Sequence, residues 1–115
     1  MFAPSSPDLS GWSDAALCAE VVVRAAAAER AQADLARVTG AWLARVAWRS
    51  QSALGATGWL AEHTPMTRAS ATKLCATARL VQEHEQTAKA LDVGDVSVAH
   101  VEVLASAVRR RESLY

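Results

Sequence analysis

Arg68, Thr72, Lys73 and Arg79 are the residues whose types and spacing suggest a chemistry, the grip of a polyanion. Ala71, Leu74, Ala78 and Val81 recur among them at three- and four-residue steps, the buried stripe of a helix over about 68–82. On that helix Arg68, Thr72 and Arg79 share one flank. Ala69 and Ala76 lie beside them on the outer face, with Lys73 further round. Arginine pairs bidentately with guanine, lysine meets phosphate, and threonine serves either. Small residues between such donors let a helix sit deep in a groove. The helix start at Thr67 and Arg68 also presents free N–H groups to a phosphate. Arg45 and Arg49 are candidate contacts to a nucleic-acid backbone. An ordinary solvated helix face carries the same residue types.

The element that must position this helix precedes it. Thr57 predicts a cap for a short helix carrying Trp59, Leu60 and His63, and Pro65 ends it because proline has no N–H to donate. Thr67 predicts the cap of the next helix. The pair has the spacing of a helix-turn-helix over 57–82, whose second helix lies in a major groove. Leu60, Ala61, Thr64, Met66, Ala71 and Leu74 fill the inner positions, with small Ala61 at the expected close approach. Pro65 stands where glycine commonly turns the chain.

Net charge is zero over 115 residues, so no global field draws the chain to nucleic acid. The middle is nevertheless basic: Arg37, Arg45, Arg49, Arg68, Lys73 and Arg79 face only Glu62 in that stretch, while acids gather at Glu83, Glu85, Asp92 and Asp95. Cys18 and Cys75 show no metal spacing, and without a secretory leader they read as reduced thiols in the cytoplasm. Cys75 is expected to fill space at the edge of the apolar stripe. His63, His84 and His100 are spread over three expected helices, and Glu83-His84-Glu85 points to different sides of one. No metal, cofactor or catalytic set is expected. No uncharged stretch approaches the ~20 apolar residues of a membrane span.

The near absence of aromatics other than Trp and the short β-branched runs favour an all-α fold, a long N-terminal helix packed on a helix-turn-helix-like bundle of three to four shorter helices. Residues 1–12 are expected to be a flexible tail, with 13–115 a single helical domain. Ser13 and Asp14 start a helix over 13–50. Leu17, Val21, Ala25, Ala28, Leu35, Val38, Trp42 and Val46 form its apolar stripe, within which Val21, Ala28, Leu35 and Trp42 are spaced by sevens. That stripe is core packing or the seam of a homodimeric coiled coil. Gly40 interrupts the pattern without shifting its phase, so one helix is expected, bent there if anywhere. Residues 86–112 read as a short helix stopped by Gly94 and a last helix started by Ser97, with Val98, Val101, Leu104, Ala105 and Val108 inward.

Trp59-Leu60-Ala61, Thr67, Ala71, Leu74, Ala78, Arg79, Ala90-Leu91, Gly94, Val96-Ser97 and His100-Val101 resemble one bacterial family. It is the domain of unknown function found N-terminal to HNH endonuclease modules in high-GC bacteria, a mycobacterial repeat family. The resemblance runs from about Trp48 to Ala105. The segment from Leu91 to Val101 is also loosely similar to the stretch after the helix-turn-helix in ParB-class partition proteins. In the HNH-linked family a C-terminal nuclease carries paired His and Asn around a divalent metal. This chain has no Asn, so the resemblance implies the front of the family's domain, truncated before the nuclease and without its activity. The expected function is non-catalytic DNA binding, the alternatives a helical dimerisation module or a gene remnant.

Overall fold

The computed structural model describes residues 8–45 and 55–113, the side chains of 109, 112 and 113 excepted. Among the described residues the fold is all-helical: α1 (Asp14–Ala44), α2 (Gly55–His63), α3 (Arg68–Glu83), α4 (Glu85–Asp92) and α5 (Val98–Ser113). None of these helices is long and apolar enough to cross a membrane.

Local chemistry sets the helix ends. Ser13 Oγ accepts the Ala16 amide at 3.1 Å, and Thr67 Oγ1 accepts the Ser70 amide at 3.1 Å. Gly94, at φ 83°, ends α4: the Asp95 amide reaches the Ala90 carbonyl at 2.8 Å and the Gly94 amide reaches Leu91 at 3.3 Å. This pair of bonds is a Schellman motif, whose left-handed residue is glycine for want of a Cβ. Ser97 Oγ accepts the His100 amide, while His100 Nδ1 accepts the Ser97 amide, each at 3.3 Å. The histidine thus does what glutamate does in a capping box.

Several boundaries differ from the sequence reading. Residues 8–12 form a turn, with Asp8 Oδ1 accepting from both the amide (3.1 Å) and the hydroxyl (2.7 Å) of Ser10. These bonds hold the exposed Asp8 carboxyl below its usual pKa. The long helix stops at Ala44, with Arg45 as its C-cap, instead of reaching 50. Helix α2 begins at Gly55, at φ 82°, so Thr57 lies inside it and does not cap it. Val46, Trp48 and Arg49 lie outside the described residues.

The largest difference is the face of α1 that packs. Its buried residues are Ala33, Ala36, Thr39 and Gly40, all in the C-terminal part. The expected stripe lies about a third of a turn away, and Val21 and Val38 on it remain 66% and 68% exposed. Helix α3 crosses α1 over the small-residue face. A Cβ built on Gly40 would stand 2.8 Å from the Ala78 carbonyl oxygen and 3.2 Å from Gln82 Cβ. Gly40 is where the two helix backbones touch. Around this crossing lie two apolar clusters. Ala33, Val81, Leu91, Val98 and Val101 form one, and Ala56, Leu60, Ala71 and Cys75 the other. Leu104 and Val108, expected inward, are about half exposed because α5 turns only Val98, Val101 and Ala105 to the core.

Replacing Gly40 by Ala gains about 1 kcal/mol of helix propensity. Its methyl collides with a backbone oxygen that cannot swing away, an overpacking cost of about 1–3 kcal/mol. Thermal unfolding is therefore expected to fall for Gly40→Ala and to fall further for Gly40→Leu. A raised melting temperature for Gly40→Ala would show that the helices are not in contact there.

Candidate nucleic-acid interface

Helix α3 is the centre of the fold. It meets α1, α2, α4 and α5, and each contact removes part of its surface from solvent. Helix α2 seats its N-terminal half: Leu60 packs with Ala71 and Cys75, while Met66 and Leu74 close the edge. The turn between them is made without glycine. The Thr64 hydroxyl donates to the Leu60 carbonyl at 2.6 Å and accepts the Met66 amide at 3.2 Å. One threonine side chain thus bonds the chain on both sides of Pro65, whose nitrogen has no hydrogen to place. Ala61 is only half-buried, and Ala56 and Gly58 are the small buried residues of α2.

Arg68, Thr72 and Arg79 project from the sector that the neighbouring helices leave open, and all three are exposed. At about 100° per residue they fall within about 40° of one another. Among the described residues no carboxylate lies at ion-pair distance from Arg68, Lys73 or Arg79. The Thr72 hydroxyl donates to the Arg68 carbonyl at 2.9 Å, leaving its lone pairs outward. At the helix start Thr67 consumes the Ser70 amide. The Arg68 and Ala69 amides have no intrahelical acceptor.

Lys73 does not join this flank. It lies about 140° round from Arg68 and borders a shallow groove of about 320 Å³ between α3 and α5, with Thr77 and Glu102 among the lining residues. Arg79 lies at the C-terminal end of the flank beside Glu83, lining the cleft between α3 and the end of α1 near Gly40 and Leu43. Arg45 is exposed at the end of α1, and Arg49 is outside the described residues. On the first turns of α3 the exposed cation of the flank is thus Arg68.

Part of the basic middle is spent inside the molecule. Arg37 meets the Asp92 carboxylate at 2.8 Å; Arg30 donates to the Asp92 carbonyl at 2.8 Å and to its carboxylate at 3.3 Å. Glu29 accepts the Val98 amide with both oxygens, at 3.0 and 3.2 Å. These contacts tie the end of α4 and the start of α5 to α1. Sequence reading missed them because the partners are 55 to 69 residues apart.

Trp42 and Trp59 pack with ring centres 5.1 Å apart, and His63 stacks on Trp59 at 4.2 Å. His63 Nδ1 lies 2.9 Å from the Trp59 carbonyl oxygen; a carbonyl can only accept, so the proton sits on Nδ1. This histidine completes the second cluster's edge. Among the described residues no group of three or more His, Cys, Asp or Glu is gathered to hold a metal ion. Comparison with protein-family models, curated proteins and solved structures finds no match to the chain.

Cys18 is exposed and Cys75 is buried. Burial pushes the Cys75 thiol above its usual pKa, against the smaller opposing effects of a Thr57 hydrogen bond and the Arg79 charge. A raised pKa favours the neutral, unreactive thiol. At mildly alkaline pH an aromatic disulfide reagent is expected to titrate one thiol quickly and the second only after denaturant is added. Rapid reaction of both in the native protein would contradict the placement of Cys75.

Proposed function

We propose that the chain is a non-catalytic, helix-turn-helix-like DNA-binding module that presents the first turns of α3 to the duplex. The observation that carries the reading is the flank of Arg68 and Arg79, with Thr72 between them, exposed on α3 and without an ion-pair carboxylate among the described residues. Helix-turn-helix proteins read bases with the N-terminal residues of the second helix while the first crosses the backbone. Arg68 and Thr72 stand at those N-terminal positions, and the two amides at the helix start suit a phosphate oxygen. Lys73 and Arg45 are more peripheral, placed for phosphate contact only.

The reading extends to an association with HNH endonucleases in the cytoplasm. Its support is the resemblance carried by Leu60, Ala71, Ala78, Leu91, Gly94, Ser97 and Val101. Each of these residues has a defined place in this fold: five are core residues, one is a left-handed cap and one a helix N-cap.

The test is fluorescence anisotropy with a mixed-sequence duplex at low salt. Wild type is expected to bind with a steep salt dependence. The double change Arg68→Ala with Arg79→Ala should weaken binding at least tenfold and flatten the salt slope by about one unit per lost phosphate contact. Lys73→Ala should cost less. Absence of binding at low salt, or equal binding by the double variant, would refute the proposal.

A further inference from the structure

Among the described residues, helix α1 carries an apolar surface that no neighbouring helix covers. Helix α1 buries only its alanine, threonine and glycine face, from Ala33 to Gly40, against α3. The stripe about a third of a turn away stays open: Val21 and Val38 are about two-thirds exposed, Leu35 is 36% exposed, and Ala28 and Ala31 are exposed. Leu17 and Trp42 at its ends are half-buried. Val21, Ala28, Leu35 and Trp42 keep a seven-residue spacing, the repeat that keeps one helix face turned to a second helix.

The stripe is self-complementary under reversal. Placing α1 antiparallel to its copy, with the two-fold axis between Ala28 and Ala31, sets Leu17 opposite Trp42 of the copy and Val21 opposite Val38. Ala28 then meets Ala31 at the centre, so the backbones approach most closely there. Arg24 lies opposite Leu35, its guanidinium already bonded to Glu20 at 2.5 Å and its methylene stem free to cover the leucine. The acids flanking the seam, Glu20 and Asp34, face alanines at 41 and 27, so no like charges oppose each other. A closed two-fold contact requires such a match of a surface with itself.

We propose that α1 pairs with a second copy of this chain, antiparallel, through the Leu17–Trp42 stripe. The proposal stands independently of DNA binding, since α3 does not contribute to the seam. A contact about 38 Å long and one helix wide is at the small end of specific interfaces, the class of weak association, for which dissociation at roughly micromolar concentration is expected.

Sedimentation equilibrium from about 5 to about 500 µM covers that range. The mass is expected to rise from the monomer's 12.2 kDa toward twice that value. Ala28→Glu places a charge at the closest approach on a side chain exposed in the monomer, and Val38→Glu does so further along. Both variants should remain monomeric while keeping wild-type helicity by circular dichroism. In a Cys18→Ala background, Val21→Cys combined with Val38→Cys should give a covalent dimer on oxidation, and Val21→Cys alone should not. A wild type that stays monomeric, variants that dimerise like wild type, or cross-linking by Val21→Cys alone would each overturn the proposal.

Discussion

The close crossing of α1 and α3 is the constraint on which the other contacts depend. Gly40 lets the Ala78 backbone approach to a distance at which no side chain fits, and Ala33 and Ala36 on α1 and Ala71 and Ala78 on α3 are buried. Small residues bury little area each, so this core gains less from transfer than one of leucines. It gains instead from the close packing of main-chain atoms. The approach also leaves room around α3 for α2 on one side and α5 on another. Widening it would separate both apolar clusters at once. The open sector of α3, and the guanidiniums on it, are what remains after the other sectors are occupied.

Polar tethers then orient the ends of the smaller helices. Asp92 ends α4, and its carbonyl and carboxylate both meet arginines from α1. Glu29 meets the first free amide of α5, favourable twice over: the amide lacks an intrahelical acceptor, and the carboxylate sits at the positive end of the helix dipole. Exposed ion pairs stabilise little individually. Here they bond backbone groups that helix ends would otherwise leave to water, and they fix the angle at which α4 and α5 leave α1. Arg30 and Arg37 stay about half exposed, but their charge is matched by the Asp92 carboxylate.

Much of the fold was legible because its punctuation is local. Ser13, Thr67 and Ser97 each act within one turn, Pro65 acts on its own residue, and Gly94 acts on the turn before it. The flank of Arg68, Thr72 and Arg79 was legible for the same reason, since a helical wheel needs only one period. The packing face of α1 was not. Hydrophobic periodicity points to valine and leucine, whereas a close helix crossing selects for small size, and alanine is everywhere in this chain. Lys73 was read as lying further round than the arginines, and it does; the groove it borders with Glu102 was not legible, because one helix taken alone has no α5.

The two faces of α1 have different chemistry because they face different problems. Against α3 the limit is distance, and at Gly40 even a Cβ would stand 2.8 Å from a backbone oxygen. On the opposite stripe Val21 and Val38 occupy positions where β-branching costs helix propensity. An exposed helix gains nothing from such residues, and the N-terminal third of α1 buries none of its own residues to offset them. A 31-residue helix supported along less than half its length relies on its Ser13 cap, its alanines and the Glu20–Arg24 pair to hold the remainder. The valines and leucines of the stripe add nothing to that local support. Their stabilising contribution requires a second apolar surface, which α2 to α5 do not provide.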